Sequence, residues 1–270
     1  TGGVFQPGSQ KRSDDRFRFA CELVRNGRIG KIKRVEAHLP GGPTGGPFAT
    51  QPPPKGFDWK MWQGPSPDTD YIPERTHGNF RWWLEYSGGM MTDWGAHHND
   101  IAQWGLGMDR TGPVKTVASG DGPKICQNCY NTFPAFEVHH TYADGTPLIT
   151  TNQGENGVHF EGESGWIFVS RGKIAASDQK LLDEPLPSNA VRLYNSGDHA
   201  RDFVDCIRSR KQPICDAEIG HRSVTVCHLG NISLRLGGRE LHWDPKKEFF
   251  IGDEEANALL KMPTKREWRV

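Results

Sequence analysis

The chain has 270 residues, of which 35% are hydrophobic and 24% are charged, a composition typical of a globular chain with one large or two modest domains. Lys plus Arg and Asp plus Glu both number 33, so the formal net charge is zero and the charge balance disfavours nucleic acid and membrane surfaces as partners. No apolar run reaches the roughly 20 residues that span a bilayer. The first residues, TGGVFQPG, resemble neither a secretory nor a transit segment, and both a cytoplasmic and an exported location stay open.

The first predicted elements are a helix and a strand. Apolar residues recur at helical spacing over residues 14–26, and Ser13 or Asp14 can cap this helix. A half-buried strand is predicted from Ile32 to Leu39, because apolar and polar residues alternate there. Residues 40–57 are rich in Gly and Pro and predict a long surface loop.

An aromatic-rich stretch follows between residues 57 and 83, with arginines interleaved among its rings. Aromatic faces backed by polar groups suit sugar rings, which present C–H faces and hydroxyls. Trp62, Arg75 and Trp82 are therefore candidate substrate-binding residues. Core packing is the alternative for each tryptophan.

Residues 88–107, GGMMTDWGAHHNDIAQWGLG, concentrate carboxylates and imidazoles between glycine pairs. A helix that starts near Thr92 turns about 100° per residue and places Asp93, His97 and Asp100 on one face, within roughly 60° of one another. Asp93 falls in the first turn, where the helix dipole favours its ionised form, so it can orient His97 or stabilise its cation. General acid-base chemistry by His97 is the favoured interpretation. A shared divalent metal ion and a merely solvated polar face are the alternatives.

Hairpin patterns dominate residues 114–175, and helices return after them. One predicted helix carries an apolar stripe formed by Ala200, Phe203, Val204 and Ile207, and a longer one follows to Gly237. This grouping predicts an α+β fold, with an open, mostly antiparallel sheet and helices packed on one face. The other face is then available for a second copy of the chain, so a homo-oligomer is expected.

Six cysteines are too few for a disulfide scaffold in a chain of this length. Cys126 and Cys129 form a lone C-x-x-C, which we interpret as a pair of loop thiols rather than as a metal or redox site.

The run from Gly88 to Asp100 resembles the GG-x(3)-D-x-G-x-H-x-x-D motif of the glucose-fructose oxidoreductase, inositol dehydrogenase and MocA family. Further similar stretches are GSQKRSD (8–14), ELVRNGRIGKIKRV (22–35), FEGESGWIFVSRG (160–172) and GDEEANALL (252–260). The resemblance covers almost the whole chain.

The resemblance implies an N-terminal Rossmann domain followed by an α+β domain, and oxidation or reduction of sugars, inositols or related polyols with NAD or NADP. It implies that His97 is the acid-base group for the substrate hydroxyl and that Asp93 acts beside it. Asp100 matches a recurrent acidic position, and Arg12 matches a position near the junction of cofactor and substrate. Both are expected to contact substrate.

The sequence departs from the family in lacking a G-x-G-x-x-G and an E-K-P. We therefore expect residues 1–30 to hold the last strand, Val4 to Gln6, and the crossover helix of a missing nucleotide-binding domain. Residues 31–270 would form the α+β substrate-binding and oligomerisation domain. The intact parent would use NAD or NADP on a small sugar or polyol, while this chain would bind neither cofactor nor metal. The alternative is a catalytically silent carbohydrate-binding or assembly module.

Overall fold

The computed structural model describes residues 2–123 and 126–262. In these ranges the α-helices are α1 (Asp15–Arg25), α2 (Trp59–Gln63), α3 (Met90–Leu106), α4 (Lys180–Asp183), α5 (His199–Ser209), α6 (Ala217–Arg235) and α7 (Glu254–Ala258). The strands are β1 (Ile32–His38), β2 (Lys115–Asp121), β3 (Ala135–Thr141), β4 (Pro147–Thr151), β5 (Gly157–Gly162), β6 (Gly165–Ser170), β7 (Lys173–Ala176), β8 (Leu241–Asp244) and β9 (Phe249–Phe250).

The strands of the described chain form one open sheet in the order β7-β6-β5-β1-β4-β3-β2-β8-β9. β1 and β4 run parallel, with Val35 opposite Leu148, and the other neighbouring pairs are antiparallel. The predicted α+β class and the open, mostly antiparallel sheet are confirmed.

Local sequence explains where the first elements begin. The Asp14 side chain accepts a hydrogen bond from the backbone N–H of Arg16 and so caps α1. In β1, Val35 and Ala37 are fully buried while Arg34 is exposed. This is the alternation of a strand with one covered face.

Helices α1, α3 and α6 cover one face of the sheet. Phe17 of α1, Ile101 of α3 and Val226 of α6 share a buried cluster with Phe160 of β5. Gly105 permits this packing, because a Cβ there would lie 2.5 Å from the Phe160 ring. α1 thus belongs to the core that the predicted boundary at residue 30 would divide, and that boundary stays a prediction.

The opposite side of the sheet, here called the open face, carries many polar side chains together with apolar ones such as Ile149 and Phe168. It carries Arg34, Glu36 and His38 of β1, His159 and Glu161 of β5, and Glu137 and His139 of β3. No described helix covers these side chains, which leaves the open face available to a partner.

Several expectations from the sequence need correction. Residues 4–6 pair with no strand of the described chain, and their assignment as the last strand of a separate nucleotide-binding sheet stays a prediction. The apolar stripe on α5 is not wholly buried: Val204 is 42% and Ile207 39% exposed, while Asp202 and Cys206 face inward. Cys126 and Cys129 are joined as a disulfide rather than being free thiols. The other four cysteines are buried.

Candidate functional site

The site is built around the start of α3, which begins at Met90, two residues before the predicted Thr92. Gly89 is the N-cap and has a φ of 69°, a conformation that favours glycine. A Cβ on Gly89 would lie 2.6 Å from the Thr132 side chain, and one on Gly88 would lie 2.6 Å from the Asn231 amide nitrogen. The two glycines therefore let the chain enter the helix in close contact with its neighbours, and they place Asp93 in the first turn.

Asp93 binds an arginine from the preceding segment. Nη1 of Arg81 lies 2.6 Å from Oδ2 of Asp93, and both side chains are partly exposed. The Arg81 guanidinium also lies 4.7 Å from the Trp82 ring centroid. Trp82 is buried and forms the apolar backing of this ion pair.

His97 lies one helical turn after Asp93 and lines the same cavity, which has a volume of about 430 Å³. In the described part of the chain, no side chain is hydrogen-bonded to the His97 ring. Burial, with Lys11 and Arg171 nearby, lowers the pKa of His97 to about 4. The attraction of Asp100 and Asp93 is the weaker influence. His97 is therefore a neutral imidazole near pH 7, in the state that can accept a proton, rather than the cation that the sequence suggested Asp93 would stabilise.

Asp100 forms a buried ion pair with Arg12. The Arg12 Nε and Nη2 donate to the Asp100 carboxylate at 2.8–3.0 Å, and the two side chains are 2% and 1% exposed. Arg12 Nη1 donates to Asp109 at 2.9 Å, and Ser223 Oγ donates to Asp100 at 2.8 Å. These contacts occupy the groups that were expected to bind substrate, so direct substrate contact would require this pair to open.

Lys11 and His98 form a second buried pair that the sequence did not reveal. Lys11 Nζ donates to His98 Nδ1 at 2.7 Å, and His98 Nε2 donates to Asn156 Oδ1 at 2.7 Å. This pattern requires the neutral tautomer of His98 with its proton on Nε2. Burial, together with Lys11, lowers the pKa of His98 well below its usual value. Burial and Arg171 lower that of Lys11 to about 7, although Asp100 opposes the shift.

Two cationic side chains lie near the Trp94 ring. Lys11 Nζ lies 5.1 Å and the Arg171 guanidinium 4.6 Å from the ring centroid, distances at which cation–π attraction operates. Arg171 follows β6 and lies within the stretch FEGESGWIFVSRG, yet neither it nor Lys11 carries a local pattern that marks it as part of the site. Only the approach of distant segments brings them to α3.

The remaining candidates lie in packed aromatic groups. Trp62 stacks on Trp59 at 5.0 Å with an interplanar angle of 17°. Arg75 is buried, binds Glu85 at 2.7 Å and lies 3.8 Å from the Trp83 ring centroid. Neither of them, nor Trp82, is among the described residues that line the His97 cavity. Their roles in substrate binding stay predictions.

The described residues offer no evident site for a metal ion or a dinucleotide. Residues 2–123 and 126–262 contain no group of three or more His, Cys, Asp or Glu arranged to hold a metal ion. The connection between the parallel strands β1 and β4 includes α3, but the first turn of α3 carries Asp93. A carboxylate at that position repels the pyrophosphate that such a helix start would otherwise attract. The start of α3 therefore does not suit a pyrophosphate, and the expectation that this chain binds no nucleotide stays a prediction.

Comparison with known proteins gives a family match. The model of an oxidoreductase family, C-terminal alpha/beta domain, matches residues 45–270. No curated protein matches the sequence. No helix in the described ranges combines the length and apolar character needed to cross a membrane.

Solved structures share the fold at low identity. Aldose-aldose oxidoreductase from Caulobacter crescentus, complexed with glycerol, is 17% identical with a TM-score of 0.57; the match covers 89% of this chain and 64% of that one. The WlbA dehydrogenase from Bordetella pertussis, in complex with NADH and UDP-GlcNAcA, is 15% identical with a TM-score of 0.58, covering 90% and 64%. The chain thus spans slightly less than two thirds of the length of these structures.

Proposed function

The chain belongs to this oxidoreductase family, and from that membership we propose that it is the substrate-binding part of an NAD(P)-dependent enzyme acting on a sugar, inositol or related polyol. The observation that carries the proposal is that His97 and Asp93, one helical turn apart, line the same cavity. An imidazole without a protein partner can accept the proton of a substrate hydroxyl. The named ligands of the neighbouring structures, glycerol, NADH and UDP-GlcNAcA, are of the class that this proposal requires.

We assign the proton transfer to His97. A secondary alcohol must lose its hydroxyl proton as it becomes a ketone, and His97 would take that proton on a ring nitrogen. Lys11 and Arg171 disfavour the cationic form of His97, so the proton would pass on readily to solvent. The oxidant, which takes the hydride from the same carbon, would be NAD or NADP held by another part of the intact protein.

Asp93 has a binding role in this proposal. Its Oδ2 is held by Arg81, which fixes the carboxylate while leaving its other oxygen available to a hydroxyl of the substrate. Carboxylates are suitable acceptors for such hydroxyls. The Arg12 and Asp100 ion pair would have a positioning role, because it joins the segment before α1 to α3 next to the site.

We further propose that the open face is where copies of the chain associate. It presents both acidic and basic side chains, including Arg34, Glu36 and Glu161, together with partly buried Trp166. Light scattering should give an oligomer that Trp166→Glu reduces to smaller species. A monomer at all concentrations would contradict this assignment.

Titration calorimetry of this chain with myo-inositol, glucose, NADH and NADPH tests the main proposal. We expect binding of a polyol, lost in Asp93→Ala, and no binding of either nucleotide. Micromolar binding of NADH would place the cofactor site within these residues. It would contradict the proposal that another part of the intact protein binds the cofactor. Saturable sugar binding without redox activity in the intact protein would instead support the silent module.

A further inference from the structure

A second cavity, of about 440 Å³, lies beside α6 and is not used by the proposed reaction. It is lined by residues of α6, by the segment from Leu84 to Gly88, by Trp243 of β8 and by Leu259, Leu260 and Met262 near α7. A volume of this size holds a small organic molecule.

One face of α6 supplies most of its polar groups. His221, Thr225, His228 and Arg235 line the cavity together with the apolar Ile232, and their spacing of three or four residues places them in one row along the helix. His221, His228 and Arg235 recur every seven residues, so donors are repeated along the length of the cavity.

Some charged side chains that line this cavity have ion-pair partners among the described residues, and one does not. Glu85 is neutralised by Arg75 at 2.7 Å, and Glu248 is held by His221 at 2.6 Å and by Arg222 at 2.9 Å. Arg235 has no acceptor or carboxylate partner in the described part of the chain. Desolvation lowers the pKa of Arg235 and that of His228. The cavity therefore presents, at its solvent-exposed edge, a guanidinium that no described carboxylate neutralises, with the exposed His228 imidazole two turns earlier on the same helix face.

Part of the remaining wall is apolar. Leu229 and Trp243 are almost fully buried, and Ile232 is 4% exposed. A guanidinium beside such an apolar surface suits an anion with a hydrophobic body. The anionic group can bind the guanidinium while the hydrophobic body contacts the apolar side chains. A hydrated inorganic anion would leave the apolar wall without a partner.

We propose that this cavity binds a small carboxylate with an aromatic or branched apolar body, with Arg235 holding the carboxylate and Leu229 and Ile232 contacting the body. His228 donates a second hydrogen bond. The site shares His221 with the His97 cavity, and its Gly88 lies next to Gly89, the N-cap of α3. Occupation of this site would therefore contact the segment that positions Asp93.

The test is titration of the full chain with phenylacetate and with its neutral analogue phenylacetamide. We expect phenylacetate to bind at least about tenfold more tightly, since a hydrogen bond to a charged group adds about 1.5–3 kcal/mol. Arg235→Gln should remove this preference. Arg208→Gln, which alters a guanidinium on α5 that is 75% exposed, should retain it.

Equal affinity for the two probes, or a preference that survives Arg235→Gln, would overturn the proposal. Binding of phenylacetate only to a chain shortened to end at Met262 would also overturn it. That result would mean that residues 263–270 compete with the probe for the cavity. Ile232→Ala provides a second check: it should weaken both probes alike, whereas unchanged binding would remove the apolar wall from the site. None of these outcomes depends on His97 or on sugar binding, so this proposal and the proposed function fail separately.

Discussion

Arg81 holds Asp93 through a 2.6 Å contact between Nη1 and Oδ2, one helical turn before His97. The two residues are separated by the Gly88 and Gly89 turn, so the ion pair closes across the entry to α3. This relationship fixes one carboxylate oxygen beside the proposed acid-base group. Replacing Arg81 should therefore lower activity more than it lowers the free energy of unfolding.

We predict that Arg81→Gln lowers kcat/KM by about tenfold in the intact protein. The free energy of unfolding should change by less than about 1 kcal/mol, since partly exposed ion pairs contribute little. Steady-state kinetics and urea unfolding measure the two effects, with Arg208→Gln as the matched control. A large loss of stability at unchanged kcat/KM would show that Arg81 serves the fold instead.

Asp100→Asn should lower the free energy of unfolding by about 3 kcal/mol, because it removes the fully buried counter-charge of Arg12 and leaves only the more exposed Asp109. Asp109→Asn removes the more exposed partner of the same arginine, whose side chain is 17% exposed, and should cost clearly less. Urea unfolding of the two variants gives the comparison. Equal, small losses would mean that Arg12 and Asp100 are solvated in solution and are available to substrate.

The stability of the chain should depend on pH through Lys11. Burial is the main cause that lowers the pKa of Lys11 in the folded chain from the ordinary 10.5 to about 7. Between these values the unfolded chain binds a proton that the folded chain does not, so the Lys11 contribution to stability rises with pH from about 7 to about 10.5. Below pH 7 the full cost of burying the ammonium is present.

Lys11→Met removes that cost. The gain of the variant over the wild type in unfolding free energy should therefore be larger at pH 6 than at pH 9, by at least about 1 kcal/mol, since one pKa unit corresponds to about 1.4 kcal/mol. Denaturant unfolding at the two pH values measures it. Lys173→Met, at a side chain that is 50% exposed, should show no such difference. A gain that is the same at both pH values would contradict the buried, neutral amine.

Much of the fold follows from local sequence. The Asp14 cap, the alternation in β1 and the hairpins after residue 114 each depend on residues close together in the chain, and the structure agrees with them. The helix predicted around Ala200 to Ile207 is present as α5, but an apolar pattern shows only that a face can be buried, and no described element covers all of this one. Val204 and Ile207 remain partly open to solvent for that reason.

The site was predictable only in part. Asp93 and His97 share one helix, so their common face follows from helical geometry. Arg12 and Asp100 are 88 residues apart, and Lys11 and His98 are 87 apart. Their pairing is set by the packing of α1 and its preceding turn against α3, which no local pattern encodes. The aromatic stretch pointed to sugar binding, yet Trp62 finds a partner in Trp59, because neighbouring indoles gain from stacking on one another.

The most direct test of the central claim is the rate of polyol-dependent NAD(P) reduction by the intact protein, measured for the wild type and for His97→Gln. His242→Gln, at an exposed histidine on β8, is the control. If His97 takes the hydroxyl proton, kcat should fall by about 10²- to 10⁴-fold in His97→Gln and stay at the wild-type value in His242→Gln. Wild-type turnover in His97→Gln would contradict the claim and remove His97 from the mechanism.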